Sequence, residues 1–405
     1  MKREYVVIIF TFVLMVVFAA FSYAVGIEEC VKLAVGNNSN LLLCREEINI
    51  SKIKTKQAES LFKPKIYLGA YYDYYSLDYP SIFSSSIGAF NLQEASDNFY
   101  GTRLTLTQTL YTGGKDTTLR KQASQKYLEA EASYLTEKNK VIYEVRRGFI
   151  EITYLAKNIQ TLVNAQAGLE KIEDEDKKKI ENALQKDKLQ LEKQINDATY
   201  GFNAVICTEF IESSKISGDV EIDNKMLGED RTKLVILAQQ HRPELKSLKA
   251  KESVDSLSVG LEKTLKFPNV DFFSEYDYLH ATGNEWESNF QVGLSMTIPL
   301  FDGGARFQKY MERDSLLRKT RIIVSSEEDR IKREVEAAYE KMLIAKKMYD
   351  MALNEKQSFA MPGKIRAEDI NNWNALMINF QICEKELLQS IAYLEFTTGS
   401  EISKY

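Results

Sequence analysis

Histidine, tryptophan and proline are all scarce in this chain of 405 residues, which has two His, two Trp and six Pro. With only His241 and His280 available, and four Cys at irregular spacing, a Cys/His zinc cluster is not expected. Few prolines and 27% charged residues are typical of long, exposed helices rather than of a compact globule. The formal net charge of −5 argues against a nucleic-acid-binding surface.

A long apolar run occurs once, near the N-terminus, from Tyr5 to Phe18. It is followed by Ser22-Tyr23-Ala24, whose small first and third residues suit signal peptidase, so residues 1–24 are predicted to be a secretory signal. The alternative is a retained membrane anchor, but the run is shorter than the roughly 20 residues that a spanning helix needs. Val25 rather than Cys follows the predicted cut, which argues against a lipoprotein anchor.

One long pattern occurs twice in the remaining sequence. The segment from Leu33 to Tyr74 recurs at a constant offset as Leu237 to Tyr278, and Leu104 to Gly114 recurs as Leu294 to Gly304. Each copy is predicted to contain a helix, a strand, a loop, a second strand, a Gly-Gly pair and a very long helix. The predicted division is a signal at 1–24, a first repeat at 25–218, a linker at 219–231 and a second repeat at 232–405.

Apolar and polar side chains alternate in four segments, which predicts four half-buried strands. The apolar positions are Ile66, Leu68, Ala70, Tyr72 and Tyr74, then Leu104, Leu106 and Leu110, then Val270, Phe272, Tyr276 and Tyr278, and finally Phe290, Val292, Leu294 and Met296. One interpretation is a soluble antiparallel sheet with one face on a core. However, strands of about a dozen residues with aromatic ends are typical of transmembrane β-strands.

Four strands cannot close a membrane barrel, because the smallest bacterial ones have about eight and an open edge leaves backbone groups unpaired in lipid. A barrel would therefore have to be shared between chains. Two chains would give eight strands around an interior filled by side chains, whereas three would give twelve strands and a lumen. A conduit favours three chains.

The helical segments are unusually long. No proline occurs from Lys115 to Asn182, and apolar residues recur at steps of three and four, which predicts a helix of roughly 100 Å. The predicted returning helix runs from Asp187 to Glu212, and the second copy repeats the plan at 305–360 and 369–397. These segments are predicted to be antiparallel coiled-coil hairpins. Tight, permissive turns at Gly113-Gly114 and Gly303-Gly304 connect them directly to the strands.

The order of several short motifs carries a resemblance to a known family. The motifs are Ile27–Ala34 with Asn37-Asn38, Phe62-Lys63-Pro64, Lys266-Phe267-Pro268, Leu110-Tyr111-Thr112-Gly113-Gly114 and Leu300-Phe301-Asp302-Gly303-Gly304. Together they resemble the opening helix, the strand entries and the strand-to-helix turns of the TolC-like outer-membrane efflux protein family. No single motif is specific, but their order and duplication extend over nearly all of the chain after residue 24.

The resemblance implies an α+β membrane protein of the outer membrane that extends into the periplasm. It implies a homotrimer in which a shared β-barrel, four strands per chain, is continuous with a coiled-coil α-helical barrel. Such a protein is the passive exit duct of a tripartite efflux pump or a type I secretion system. Its expected partners are a periplasmic adaptor protein, an inner-membrane RND or ABC transporter and outer-membrane lipid, and no cofactor is expected.

The two hairpin tips are the candidate functional sites. At the second tip, Gly363 is followed six residues later by Asp369, which fits the family pattern. Three chains converging there predict a gate of Glu368 and Asp369 with Lys364 and Arg366 as partners; the alternative is an ordinary helix start favoured by Asp369. At the first tip Asn182 stands where Gly is expected and Asp187 begins the predicted return. Gly363, Asn182 and Asp187 are therefore the predicted adaptor contacts.

Two other classes of protein are alternatives to a channel. A periplasmic adaptor or structural coiled-coil protein would also carry a signal and long hairpins, but an adaptor should have one hairpin flanked by compact β modules. An enzyme is not expected, because the sequence contains no Gly-rich phosphate loop, no nucleophile elbow and no His positioned for acid-base chemistry.

Overall fold

The structure is a computed structural model that describes residues 25–74, 98–170, 177–216, 218, 228–281, 285–359 and 366–399. The predicted signal, most of the predicted linker, Gly363 and Lys364 lie outside these ranges. In chain order the elements are helices α1 (Ile27–Asn37) and α2 (Ser39–Ser60), strands β1 (Lys65–Tyr74) and β2 (Asn98–Tyr111), helices α3 (Lys115–Leu169) and α4 (Lys177–Ile206), a 3₁₀ turn (Ser213–Lys215), helices α5 (Arg231–His241) and α6 (Pro243–Thr264), strands β3 (Asn269–Ala281) and β4 (Glu287–Thr297), and helices α7 (Ala305–Ser358) and α8 (Ala367–Thr398). Within the described ranges, none of the helices is long and apolar enough to cross a membrane.

The four strands form one antiparallel sheet in the order β1-β2-β3-β4. They are 10, 14, 13 and 11 residues long, which confirms the predicted length. One irregularity, between Thr109 and Tyr111, interrupts the pairing of β2 with β3. In the described part of the chain β1 and β4 each pair on one side only, so the sheet has two open edges.

The first helical hairpin is held together by the apolar faces of α3 and α4. Its buried side chains include Val141, Val145, Phe149, Ile152 and Leu155 of α3 and Ile195, Phe202 and Ile206 of α4. The α3 residues recur at the predicted steps of three and four, so the predicted apolar stripe is confirmed. Burying each large side chain of this kind stabilises the hairpin by about 1.5–3 kcal/mol.

The turn of this hairpin lies earlier than predicted. Helix α3 ends at Leu169 and α4 already begins at Lys177, so a first helix reaching Asn182 is wrong. The reason is packing: Leu184 is buried, and Ile180 partly buried, in the cluster that contains Leu162 and Leu169. Ile180 and Leu184 therefore lie on the apolar face of the returning helix. The sequence from residue 170 to residue 177 contains neither proline nor glycine, so no residue type in it indicates the end of a helix.

The second hairpin follows the same plan with bounds close to those predicted. Its core joins Ile331, Val335, Ala338 and Met342 of α7 to Leu387, Ile391 and Leu394 of α8, with Leu234 and Leu245 packed beside them. Polar contacts join α8 to α3: Arg146 pairs with Glu395, and the Lys385 Nζ lies 2.9 Å from a Glu151 carboxylate oxygen. Helix α8 therefore contacts α7 mainly through apolar side chains, and it contacts α3 through these charged pairs together with an apolar cluster of Ile150, Tyr154, Leu388 and Ala392.

The chain forms two compact units that both take segments from each sequence repeat. The helical unit comprises Met1–Asn49, Leu128–Lys249 and Ile322–Tyr405, and the sheet unit comprises Ile50–Tyr127 and Ala250–Arg321. The predicted linker at residues 219–231 separates the two sequence repeats and not these two structural units. It stays a prediction.

Candidate functional site

The two faces of the sheet differ in charge. Directly opposite residues share a face, and the register places Leu68 opposite Leu104, Leu104 opposite Tyr276, and Tyr276 opposite Phe290. Even-numbered strand residues therefore lie together on one side, which we name the charge-free face. Its members are Ile66, Leu68, Ala70, Tyr72 and Tyr74, then Asn98, Tyr100, Thr102, Leu104, Leu106 and Gln108, then Val270, Phe272, Ser274, Tyr276, Tyr278 and His280, and finally Ser288, Phe290, Val292, Leu294 and Met296.

Most apolar side chains of the charge-free face are exposed in the single chain, and Leu106, Val270 and Phe272 are half-buried. Leu68 is 77% exposed, and Phe290 and Leu294 are each 68% exposed. The register confirms the predicted alternation, and the exposure of these side chains shows that the sheet unit itself supplies no core on which a soluble sheet would rest. A contiguous apolar surface of this kind marks an interaction with a membrane or another protein.

Odd-numbered strand residues form the opposite side, which we name the charged face. Its charged side chains are Lys65, Asp73, Arg103, Asp271, Glu275, Asp277 and Glu287. The Arg103 Nε and Nη2 donate to the two carboxylate oxygens of Asp277, at 2.6 and 3.3 Å, across β2 and β3. Sequence reasoning put both residues on the polar side of their strands but did not foresee that they pair, because that depends on the register of two distant strands.

An aromatic row crosses the charge-free face at one level. Tyr72, Tyr100 and His280 lie opposite one another on β1, β2 and β3, with ring centroids 5.0 and 6.3 Å apart. Trp286, just before β4, stacks on His280 at 5.0 Å and on Tyr278 at 4.8 Å. The row therefore reaches from one edge of the sheet to the other.

The four turn glycines stand between strands and helices, as their spacing suggested. Gly113, Gly114, Gly303 and Gly304 all have positive φ, at 64°, 89°, 69° and 84°. A side chain would strain this left-handed backbone, which is why glycine is needed there. Each turn is completed by the same capping position of the repeat: the Thr112 hydroxyl accepts a hydrogen bond from the backbone N of Asp116, and Asp302 accepts one from that of Arg306.

Two of the predicted tip residues lie away from the first tip. Asn182 and Asp187 belong to helix α4, so neither forms the turn, and their assignment as the tip was wrong because the helix returns earlier. The signal that was missed is Gly168, which precedes Asp174 by the same six residues that separate Gly363 from Asp369. A Cβ on Gly168 would come within 3.2 Å of the Ile370 side chain, so α3 and α8 approach closely at this end.

At the second tip the structure brings together Arg366 and Asp369. The backbone N of Arg366 donates to Asp369 Oδ2 at 2.9 Å, and the Arg366 Nε lies 3.5 Å from the same oxygen. The Asp369 side chain is 13% exposed, whereas Glu368 is exposed. Asp369 therefore performs the ordinary role of an acid at a helix start, and Glu368 is the carboxylate that faces solvent.

Comparison with known proteins agrees with this architecture. No protein-family model matches the chain. The outer membrane protein TolC of Vibrio cholerae serotype O1 is 19% identical over 209 residues, which cover 45% of this chain and 47% of that protein, so the match spans about half of either length. Among solved structures, the Campylobacter jejuni CmeC outer membrane channel has a TM-score of 0.70 at 14% identity, covering 92% of this chain and 85% of its own. The outer-membrane channel OprN and the open Neisseria gonorrhoeae MtrE channel both reach 0.73, at 13% and 11% identity, covering 92% of this chain and 89% and 88% of theirs.

The chain has the fold of the TolC-like outer-membrane channels. The described residues include no group of three or more His, Cys, Asp or Glu side chains that could hold a metal ion. Cys30 and Cys383 are buried and Cys207 is exposed, all three as free thiols. Burial raises the pKa of the Cys30 thiol to about 11, so this side chain behaves as a small apolar filler.

Proposed function

We propose that the chain is the outer-membrane channel of an export system and functions as a homotrimer. Four strands from each copy close a twelve-stranded barrel that continues into long α-helical hairpins in the periplasm. The observation that supports this most directly is the sheet itself, which combines two open edges with an exposed charge-free face and a charged face opposite.

The charge-free face has the height of a bilayer. Strands of 10 to 14 residues rise about 3.3 Å per residue and, at a tilt of about 40°, span roughly 25–35 Å. The hydrocarbon core of a bilayer is about 30 Å thick. Lipid is therefore the proposed partner of this face, with the aromatic row at one interface between hydrocarbon and headgroups.

The charged face favours three copies over two. In an eight-stranded barrel from two copies, the interior is filled by side chains, so Asp271, Glu275 and Glu287 of both copies would be packed without water. Burying such carboxylates without cationic partners is strongly unfavourable. Twelve strands leave a lumen in which these side chains stay hydrated.

The proposed role is a passive exit duct, not an enzyme. The channel would belong to a tripartite efflux pump or a type I secretion system. A periplasmic adaptor would connect the hairpin tips to an inner-membrane RND or ABC transporter, which supplies the energy. The fold that this chain shares with CmeC, OprN and MtrE supports the proposal.

Oligomeric mass is the direct test of the assembly. We expect the protein extracted from outer membranes in mild detergent to have the mass of three chains by native mass spectrometry. A stable monomer, or a dimer that forms a closed barrel, would contradict the proposal.

We expect Trp286 to report the depth of the aromatic row. The chain has two tryptophans, so Trp373→Phe leaves Trp286 as the sole indole. In vesicles, lipids brominated near the headgroup should quench its fluorescence more strongly than lipids brominated near the chain end, because amphipathic rings settle at the interface. In the matched Trp286→Phe variant Trp373, which lies in helix α8, should not respond to either lipid. Equal quenching of the two tryptophans would contradict the placement.

We further propose that Glu368 contributes to a constriction at the periplasmic end, together with Lys364, Arg366 and Asp369. Like charges in a narrow opening attract counter-ions. Glu368→Ala should therefore reduce the cation preference of single channels in planar bilayers, and it should reduce it more than Asp369→Ala does, because Asp369 is engaged at the helix start. Unchanged ion preference in the Glu368 variant would reject the constriction.

A further inference from the structure

The two open edges of the sheet correspond to the two outer strands of the sequence repeat. Strand β1 is the first strand of the first repeat, and β4 is the second strand of the second repeat. Between them, the second strand of the first repeat, β2, pairs with the first strand of the second repeat, β3. The β2–β3 pair therefore shows, within one chain, how the second strand of one repeat pairs with the first strand of the next repeat.

The repeat preserves strand register. One constant offset carries Leu68 of β1 to Phe272 of β3, and another carries Leu104 of β2 to Leu294 of β4. In the first hairpin Leu68 lies opposite Leu104, and in the second hairpin Phe272 lies opposite Leu294. The two offsets therefore convert one observed pairing into another, and they can be applied to the remaining junction.

We propose that β4 of one copy pairs with β1 of the next copy in the register of the β2–β3 junction. There Leu104 lies opposite Tyr276 and Arg103 opposite Asp277. The offsets carry these pairs to Leu294 opposite Tyr72, and to Gly293 opposite Asp73, with the second residue of each pair on the next copy. This inference rests on the proposed trimer and adds the register of its interface.

The side chains that follow β4 are more exposed than those at the end of β2, which indicates that β4 lacks a neighbouring strand within one chain. Leu110 and Tyr111, where β2 ends beside β3, are 57% and 48% exposed. Their repeat equivalents beyond β4, Leu300 and Phe301, are 90% and 87% exposed. We attribute this difference to β3, which lies beside the end of β2, whereas β4 has no second neighbouring strand within the described part of the chain.

The glycine turns show the same asymmetry. A Cβ on Gly113 would meet the Phe267 side chain at 2.3 Å, because the entry into β3 packs against this turn. A Cβ on Gly303, the equivalent position, would meet nothing within 4 Å. The repeat equivalent of Phe267 is Lys63, which precedes β1, so the entry into β1 of the next copy is the segment that would pack there.

The chemistry of the side chains allows this register and excludes the register that is shifted by one residue. Pairing even-numbered with even-numbered residues continues the charge-free face from copy to copy, and it places aliphatic Leu294 against aromatic Tyr72. A slip of one residue would turn Asp73 onto the charge-free face. The competing register is a slip of two residues, which places Leu294 opposite Ala70.

Disulfide cross-linking of the full chain discriminates between these registers. In a Cys207→Ser background, which removes the exposed native thiol, Leu294→Cys with Tyr72→Cys should form disulfide-linked oligomers on a non-reducing gel, whereas Leu294→Cys with Ala70→Cys should form few. Gly293→Cys with Asp73→Cys is the second test pair. Adjacent pairs alternate between Cα distances of about 4.5 and 5.5 Å, so the two pairs sample both geometries a disulfide accepts.

The in-chain equivalents are matched controls. Leu104→Cys with Tyr276→Cys should form its disulfide within one chain, without an increase in mass, and single-cysteine variants should not form linked ladders. If the protein is trimeric and the control bond forms, efficient linking through Ala70, or no linking through Tyr72 or Asp73, overturns the inferred register. A monomeric protein would instead overturn the proposed assembly itself.

Discussion

Arginine at Leu294 or Leu106 is expected to abolish most of the assembled channel, whereas arginine at the adjacent Ser295 or Thr105 should leave most of it intact. Leu294 and Leu106 lie on the charge-free face, and Leu294 is 68% exposed in the single chain. Ser295 and Thr105 lie on the charged face. A charged side chain facing lipid near the midplane costs about 2–4 kcal/mol, and a trimer carries the substitution three times.

The measurement is the yield of heat-resistant trimer in outer-membrane fractions, normalised to total protein. Each pair of adjacent positions is a matched control, because the same substitution is moved by one residue along one strand. Lysine variants at the same four positions test whether the charge, rather than the guanidinium group, is responsible. Equal losses at the two positions of each pair would contradict the assignment of the charge-free face to lipid.

The faces of the sheet could be predicted from sequence because period-2 alternation is a local property of each strand. Leu68, Leu104, Tyr276 and Phe290 all fell on the apolar side of their own segments, and the register then placed them in one row. Register itself is not local. The Arg103–Asp277 pair depends on strands separated by 174 positions, so alternation could assign the face of both residues but not their contact.

The first hairpin tip shows where sequence reasoning was wrong. Helix propensity is high on both sides of residues 170–177, so the sequence from Lys115 to Asn182 is predicted to be one uninterrupted helix. Ile180 and Leu184 pack in one cluster with Leu162 and Leu169, a tertiary contact that periodicity along one segment does not reveal, and the spacing of Gly168 and Asp174 is the local signal that was missed. The bounds of the second hairpin were predicted closely, since α7 ends at Ser358 and α8 begins at Ala367, because Gly363 and Asp369 indicate a turn by their residue types.

A second large effect is expected at Arg242, which sequence analysis did not single out. This side chain is almost fully buried in the helical unit, between the end of α5 and the start of α6. Its Nη1 donates to Glu334 at 2.6 Å, and its Nη2 donates to Glu244 at 3.1 Å. Glu334 also accepts a hydrogen bond from the Tyr393 hydroxyl, at 3.2 Å. One guanidinium thus joins α6, α7 and, through Glu334, α8.

Arg242 is positively charged in this network. Burial alone would lower the pKa of Arg242, but its hydrogen bonds and ion pairs with Glu244 and Glu334 outweigh this and raise it. Arg330 donates to Glu327 and holds the pKa of that carboxyl below its usual range. Removing one member of such a buried network leaves an uncompensated charge, which is costlier than the absence of the whole network.

Arg242→Met is therefore expected to lower the free energy of unfolding by about 3–5 kcal/mol at pH 7. The measurement is guanidinium-induced unfolding of the detergent-solubilised protein, followed by helical circular dichroism. Arg321→Met is the matched control, because Arg321 is 58% exposed and its Nε lies 3.0 Å from Glu252. An exposed pair of this kind contributes about 0–1 kcal/mol, so the control should change little.

The pH dependence separates lost charge pairing from lost packing. The hydrogen bond from Arg330 and the positive charge of Arg242 both hold the pKa of Glu327 below its usual range, so part of the cost of removing Arg242 is present above the ordinary pKa of Glu and is relieved when this carboxyl is protonated. The difference between wild type and variant should therefore narrow as the pH falls from about 7 to about 4. The wild type moves in the same direction, because the lowered pKa of Glu327 means that its contribution to stability is lost in acid. A loss that is equal at both pH values would show that Arg242 stabilises the helices by filling space, and a loss no larger than that of Arg321→Met would show that the network contributes no more than a surface pair.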